Sequence, residues 1–186
     1  MNRVPKLLAV IDYQNDFVTG SLGFEGAAAI DDGIARLAQT YLAQGDHVLF
    51  TYDTHDGTYL ETREGRALPI PHCSPGETGW RLYGKTQELC CETCANHQIH
   101  TVCKHALGMP PAELIKLGQE LPDLREILVV GVVTHMCVLS NAVLLQAQWP
   151  EAQITVDAAL CRSFDPVLHE KALDVMQGLQ MTVINR

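Results

Sequence analysis

The chain has few basic residues, no long apolar run and no recognisable export signal. It holds 13 lysines and arginines against 22 aspartates and glutamates, a net charge of −9, which argues against nucleic-acid binding because that depends on neutralising phosphates. No stretch approaches the roughly 20 apolar residues that span a bilayer, and the apolar run broken by Asp12 is too short for a signal peptide. We therefore expect a cytoplasmic protein with a small-molecule ligand and with neither a nucleic-acid nor a membrane partner.

Internal repeats, low-complexity tracts and domain linkers are also missing from the sequence. A chain of 186 residues with 47% apolar content can build one continuous core, so we expect a single domain over residues 1–186. The seven cysteines are odd in number and accompany no export signal, which argues against a disulfide framework. Reduced thiols are expected, serving catalysis, metal binding or packing.

Apolar runs of strand length alternate with segments of helical spacing along most of the chain. We predict strands over 6–12, 47–52, 99–104, 126–133, 153–157 and 181–184, and helices over 27–44, after Pro110-Pro111, over 137–149 and over 166–178. Residues 54–98 lose this periodicity and are too long for an ordinary connection. The alternation predicts an α/β fold of three layers (αβα), in which a doubly wound, mostly parallel six-stranded sheet is covered on both faces.

Polar residues follow several of the predicted strands. Asp12, Asp53, Lys104 and the segment 134–137 all lie at predicted strand ends. Ligands of parallel sheets bind outside the carboxyl ends of the strands. The sequence therefore predicts a functional site at this edge.

Cys137 comes just after the most strand-like run, at the start of a predicted helix. A helix N-terminus lowers the pKa of a thiol and offers amides to a developing oxyanion, although a buried structural cysteine is the alternative interpretation. With Asp12 as proton acceptor and Lys104 as its charged partner, the thiol could carry out acyl transfer. Asp12 could instead be a solvated strand end.

Two segments resemble known signatures. IDYQNDFVTGSL (11–22) resembles the nicotinamidase signature around the catalytic aspartate, and GVVTHMCV (131–138) resembles the signature around the nucleophile of the isochorismatase-like cysteine hydrolases. The resemblance covers nearly the whole chain and implies the isochorismatase-like hydrolase fold. It implies that Asp12 is the general base and acid, Lys104 the charged partner, and Cys137 the nucleophile that forms a thioester acyl-enzyme.

The resemblance also has consequences for the backbone next to the nucleophile. In that family a cis peptide bond precedes the threonine of the motif, which corresponds here to Val132-Val133. The backbone amides of Val133 and Cys137 would then form the oxyanion hole.

A carboxylate and two imidazoles lie in the aperiodic segment. Asp53, His55 and His72 suit zinc or a similar divalent ion with open positions left for a ligand, whereas surface histidines are the alternative. Nicotinamidases bind a metal through this arrangement, so the resemblance implies a divalent metal that orients the pyridine ring. Zinc is expected, with iron or manganese also possible because mixed nitrogen and oxygen ligands discriminate poorly. Glu64 is a candidate fourth ligand, or else a solvated loop carboxylate.

The resemblance weakens around the substrate pocket. Residues 67–71, ALPIP, lack the aromatic residue that nicotinamidases place before the second metal histidine. The bulky pair His135-Met136 before Cys137 also differs from the small, acidic and aromatic residues usual there in nicotinamidases. Phe17 could line the pocket or belong to the core. We expect hydrolysis of nicotinamide to nicotinate and ammonia, by an enzyme that forms homo-oligomers as its family does. The alternative is a metal-free relative that acts on a ureido, carbamoyl or maleamate-type amide.

A third interpretation belongs to a different functional class. The segment CCETCANHQIHTVCKH (90–105) could form a structural zinc site or a redox pair, in a thiol-based metal or redox binding protein with a vestigial amidase site. The alternative is reduced thiols in a helix that packs on the sheet. The residues concerned are Cys90, Cys91, Cys94, His97, His100 and Cys103.

Overall fold

The computed structural model describes residues 4–92 and 97–186. The strands are β1 (Lys6–Ile11), β2 (His47–Asp53), β3 (Ile99–Lys104), β4 (Glu126–Val132), β5 (Gln153–Arg162) and β6 (Thr182–Ile184). They form a six-stranded sheet in the order β3-β2-β1-β4-β5-β6, and every neighbouring pair is parallel. The predicted α/β fold with a doubly wound parallel sheet is confirmed.

Helices cover both faces of this sheet. They are α1 (Asn15–Val18), α2 (Asp31–Ala43), α3 (Arg63–Ala67), α4 (Gly84–Glu92), α5 (Pro111–Glu120), α6 (Leu139–Gln148) and α7 (Pro166–Gly178). One hydrophobic cluster joins the sheet to α5, α6 and α7. A second joins the opposite face to α1, α2 and α4, which gives the three predicted layers.

The central strand β1 shows how the sequence produces these layers. Its side chains alternate in direction, as strand geometry requires. Leu7 and Ile11 enter the first cluster, whereas Leu8 and Val10 enter the second. All are fully buried, so a continuous apolar run is needed here rather than an alternating one.

Three predicted elements differ from the structure by more than one residue at a boundary. The helix predicted from residue 27 begins with a 3-10 turn at Ala27–Ile30 before α2. The helix predicted from Cys137 is preceded by a wide turn over Thr134–Val138, in which Val138 N–H donates to Val133 O at 3.2 Å. β5 continues five residues beyond the predicted end at residue 157, because a register shift between Val129 and Gly131 lets it pair with β4 to the end.

Residues 54–83 contain only short helices and turns, and they lie against the carboxyl edge of the sheet. His55 N–H donates to Cys73 O at 3.1 Å, and Gln14 Nε2 donates to Trp80 O at 2.7 Å. The aperiodic segment is therefore folded over the ends of β1 and β2. No helix within the two described ranges is long and apolar enough to cross a membrane.

Gly131 allows β4 to approach β1 closely just before the turn that holds Cys137. Its φ is +118°, and a Cβ there would lie 2.2 Å from Ile11 O. We expect Gly131→Ala to lower the free energy of unfolding by more than about 3 kcal/mol, because backbone strain and a clash with main-chain atoms coincide. Urea denaturation followed by circular dichroism measures this.

Gly178→Ala is the matched control. Gly178 ends α7, and a Cβ there meets nothing within 4 Å. Its stability should change little or rise slightly, since alanine favours the helix. Equal effects of both substitutions would contradict the proposed role of Gly131.

Candidate active site

The sheet brings four polar side chains together at its carboxyl edge. Asp12 follows β1, Asp53 ends β2, Lys104 ends β3 and Cys137 lies in the turn after β4. Nζ of Lys104 lies 2.7 Å from Oδ2 of Asp12, 3.0 Å from Oδ1 of Asp53 and 3.5 Å from Sγ of Cys137. The structure therefore places the three residues predicted to be catalytic in one contact group.

Lys104 is a fully buried cation. Its ammonium donates hydrogen bonds to Oδ1 of Asp53, to the carbonyl of Ala106 at 3.0 Å and to Sγ of Cys137. Burial by itself lowers the pKa of the amine, but the negative charges of Asp12 and Asp53, together with the neighbouring Cys137 sulfur, outweigh it and hold that pKa well above its usual range. The amine therefore carries its charge at neutral pH.

The two oxygens of the Asp12 carboxylate have different partners. Oδ1 accepts a hydrogen bond from Thr51 Oγ1 at 2.6 Å, and that hydroxyl accepts one from the Asp12 amide at 3.0 Å. Oδ2 forms an ion pair with the Lys104 ammonium at 2.7 Å. Burial raises the pKa of Asp12 despite the opposing charge of Lys104. Oδ2 is thus available to accept a proton.

Cys137 is a buried thiol beside these charges. Burial raises its pKa well above the usual range, and the charge of Asp12 adds to this effect while Lys104 opposes it. The direction is opposite to the lowering expected from a helix N-terminus. Desolvation and a nearby carboxylate outweigh the partial charge of the turn, so the resting thiol is protonated.

The backbone beside Cys137 has the conformation that the resemblance implies. The Val132-Val133 peptide bond is cis. Val133 and Cys137 both line the same cavity. This puts the two residues predicted for the oxyanion hole on one wall.

Asp53, His55 and His72 form a buried group of potential metal ligands. Their ligand atoms all lie within 4.8 Å of one another. Nε2 of His55 and Nε2 of His72 face Oδ2 of Asp53 at 3.0 and 3.3 Å. Burial alone raises the pKa of Asp53, but the two imidazole hydrogen bonds and the charge of Lys104 hold it well below its usual range.

The tautomer of His72 tests whether this group suits a metal. Nδ1 of His72 faces the carbonyl of Ile70 at 2.8 Å, so both ring nitrogens face acceptors. Loss of the Nε2 proton would leave Nδ1 donating to Ile70 and a lone pair on Nε2 beside Asp53. A divalent cation next to the Asp53 carboxylate would accept that lone pair, and such a backbone hydrogen bond is the usual partner of a metal-bound histidine. The donor set therefore fits a divalent metal. Glu64 lies outside this group, half-buried on α3.

Gln14 supports Asp53 and was not predicted from the sequence. Its Oε1 accepts a hydrogen bond from the Asp53 amide at 2.8 Å, and its Nε2 donates to the Asp53 carbonyl at 3.0 Å. Gln14 lies two residues after Asp12 and is fully buried. Its place inside the segment 11–22 was the available signal, but its partner is 39 residues away.

A cavity of about 370 Å³ opens beside the thiol. The structure places Phe17 on its wall, with the ring centroid 5.5 Å from that of His72. Glu64 also lines it. Most of the remaining wall residues are apolar, and they include two residues of the 67–71 stretch and Met136: Leu22, Arg63, Ala67, Leu68, Leu107, Met136 and Phe164. The aromatic ring missing from residues 67–71 has a counterpart in Phe164, which follows the unpredicted extension of β5.

Residues 6–186 match the family model described as the isochorismatase domain. The chain belongs to the isochorismatase family. An isochorismatase family protein of Bacillus subtilis, PncA, is 31% identical over 141 residues, which is 74% of this chain and 76% of that protein. The family predicted from the two motifs is thereby confirmed.

Solved structures extend the likeness over almost the full length of this isochorismatase-family chain. A nicotinamidase/pyrazinamidase PncA from Bacillus subtilis is 31% identical, with a TM-score of 0.86 over 96% of this chain and 98% of that one. A pyrazinamidase of Pyrococcus horikoshii in complex with zinc shares the fold at 19% identity, with a TM-score of 0.80 over 97% and 99% of the two chains. The prediction of an amide-hydrolysing enzyme is confirmed by such relatives.

The side chains described in the cysteine-rich segment 90–105 contact different partners. Cys94 lies outside the described residues. Sγ of Cys90 lies 3.3 Å from the Tyr52 hydroxyl, and Cys103 is exposed on β3. Nδ1 of His100 faces Glu120 at 3.2 Å. In the described part of the chain, the one cluster of three potential metal ligands is that of Asp53, so the thiol-centred site stays a prediction.

The contacts between Asp12, Lys104 and Cys137 predict how the reactivity of the Cys137 thiol depends on pH. After burial, the charge of Asp12 is the main cause of the raised pKa of Cys137. Asp12→Asn should therefore shift alkylation of Cys137 by iodoacetamide to lower pH in chelator-treated protein, because thiolate forms above a pKa that has fallen. Amide turnover should nevertheless fall by at least about 100-fold, since the predicted proton acceptor is lost.

Asp32→Asn serves as the control for this experiment, because Asp32 is an exposed carboxylate on α2 that pairs with Lys85. It should leave both alkylation and turnover unchanged. An unshifted alkylation profile in Asp12→Asn would contradict the charge coupling.

Proposed function

We propose that this protein is a cysteine amidase that hydrolyses a small aromatic amide, with nicotinamide as the first candidate, through a thioester acyl-enzyme and with a bound divalent metal. One observation carries the proposal: the buried ammonium of Lys104 contacts Asp12, Asp53 and Cys137 at once. A base, a nucleophile and a ligand-binding carboxylate thereby share one charged partner beside a cavity.

Acylation uses the proton acceptor and the thiol. Oδ2 of Asp12 takes the thiol proton while Sγ of Cys137 attacks the amide carbonyl carbon, whose oxygen becomes negatively charged. The amides of Val133 and Cys137 stabilise this oxyanion. The C–N bond then breaks as the nitrogen takes the proton from Asp12, and ammonia leaves the thioester.

Deacylation repeats these steps with water. Asp12 removes a proton from water as its oxygen attacks the thioester carbonyl. The C–S bond breaks, the carboxylic acid departs, and the thiolate regains the proton. Lys104 keeps its charge throughout and favours both the ionised carboxylate and the thiolate.

Asp53, His55 and His72 would hold the metal. When bound, it supplies an electrophilic site that orients a ring nitrogen of the substrate relative to the nucleophile. The Pyrococcus horikoshii pyrazinamidase was solved in complex with zinc, which makes zinc the first metal to test, and iron or manganese would fit the same donors. Glu64 remains a candidate fourth ligand from the cavity wall.

The cavity wall favours an aromatic substrate. Phe17, Leu68, Met136 and Phe164 present apolar surface to the space beside the thiol, which suits a planar ring. Arg63 is the one basic side chain on this wall within the described residues. It could pair with the carboxylate of a ureido, carbamoyl or maleamate-type substrate, and this keeps a metal-free amidohydrolase as the second candidate.

A panel of amides tests the reaction. Ammonia release is measured from nicotinamide, pyrazinamide and several ureido acids with wild-type protein, Cys137→Ala and His72→Ala. We expect turnover of nicotinamide, a loss of at least about 1,000-fold in Cys137→Ala because the nucleophile is gone, and a large loss in His72→Ala.

Cys161→Ala and His100→Ala are the matched controls. Cys161 is a fully buried thiol on β5, and His100 lies near the start of β3, away from the carboxyl edge. Both variants should keep near-normal turnover. Turnover of ureido acids alone, insensitive to His72→Ala, would favour the second candidate, and silence on every amide would refute the proposed function.

Metal content gives an independent readout. After chelation and reloading with zinc, we expect about one ion per chain in wild type and in Cys137→Ala, but much less in His55→Ala and His72→Ala, because each variant removes one of three protein ligands. Elemental analysis by mass spectrometry measures the ratio. Full occupancy in both histidine variants would contradict this site.

A further inference from the structure

Asn141 is a fully buried amide one helical turn after the nucleophile. Its Nδ2 donates to the carbonyl of Cys137 at 2.8 Å and to the carbonyl of Leu107 at 3.0 Å. Its Oδ1 accepts a hydrogen bond from the Met109 amide at 2.9 Å. Both amide hydrogens and the oxygen are therefore used, and two of the three bonds cross from α6 to residues 105–109.

Residues 105–109, the loop after β3, are also bound by the buried ammonium of Lys104. Nζ of Lys104 donates to the carbonyl of Ala106, next to Leu107, and also to Sγ of Cys137. Leu107 in turn lines the cavity. Lys104 and Asn141 thus connect the loop to the nucleophile turn at two points, one through the thiol and one through the backbone of Cys137.

We propose that Asn141 is a positioning residue, which locks the nucleophile turn to the loop after β3 and thereby sets the distance from Cys137 Sγ to Lys104 Nζ. It touches none of the proposed reacting atoms and acts through the Cys137 and Leu107 backbone. Its importance for turnover rests on the proposed function, but its effect on the thiol does not.

The chemistry of an asparagine explains why smaller residues should not replace it. Alanine leaves two buried carbonyls and one buried amide without their partner, which is costly in an apolar interior. Serine on a helix can still donate to the carbonyl four residues earlier, here that of Cys137. It is too short to span the gap to Leu107 and Met109, so it keeps the bond within the helix and loses the connection to the loop.

The experiment compares Asn141→Ala and Asn141→Ser with wild type. The rate of iodoacetamide alkylation of Cys137 is measured against pH in chelator-treated protein, together with kcat and KM for the amide that wild type hydrolyses. We expect both variants to lower kcat at least tenfold. The alkylation profile should move to higher pH, because a looser turn weakens the contact with the Lys104 cation that favours the thiolate.

Leu145→Ala is the control for stability. Leu145 lies on the next turn of α6 and is fully buried in the first hydrophobic cluster, away from the cavity wall. This variant should lower the melting temperature while it keeps kcat and the alkylation profile of wild type, when all proteins are compared well below their melting temperatures. Should Asn141→Ala fail to fold, Asn141→Ser carries the comparison.

Two results would overturn the proposal. If Asn141→Ser matches wild type in kcat and in alkylation, the bond within the helix is sufficient and the connection to the loop has no positioning role. If Leu145→Ala changes both quantities as much as the Asn141 variants do, loss of stability explains them. If wild type hydrolyses no amide, the proposed function fails, and the alkylation profiles still decide the role of Asn141.

Discussion

The site depends on the side-chain ammonium of Lys104, which is buried away from water. Lys104 is fully buried, and a buried cation is stable only when nearby groups compensate for lost hydration. Its partners come from β1, β2 and the turn after β4, so the strand order β3-β2-β1-β4 is what brings them within reach. Without the ammonium, Asp12 and Asp53 would be two carboxylates in a low-dielectric interior. The charge network and the central sheet therefore require each other.

The two aspartates next to the Lys104 ammonium have pKa values shifted in opposite directions. The pKa of Asp12 is raised by burial, whereas that of Asp53 is held low by hydrogen bonds from His55 and His72. The environment thus suits one carboxylate to proton transfer and the other to holding positive charge, although the residue type is the same.

The site lies where the regular structure ends, and that limits what a sequence pattern can predict. Asp12 and Lys104 were found because each terminates an apolar run, and the resemblance of residues 131–138 indicated Cys137. Phe164 was not predicted as a wall residue. It follows the last five residues of β5, which the sequence pattern did not predict as strand and which pair with β4 after a register shift. The predicted lowering of the Cys137 pKa was also wrong, because an argument from the helix N-terminus alone leaves out the burial of the thiol.

The sequence by itself determined the order of strands and helices, the family, and the residue types of the site, because apolar periodicity and two local motifs are properties of neighbouring residues. The tertiary structure alone decided how Asn141 bridges α6 to residues 105–109, how Gln14 supports Asp53, and which side chains form the cavity wall. These contacts join residues some 30 to 40 positions apart. They arise only when the sheet places its carboxyl ends side by side, and no local pattern encodes that distance.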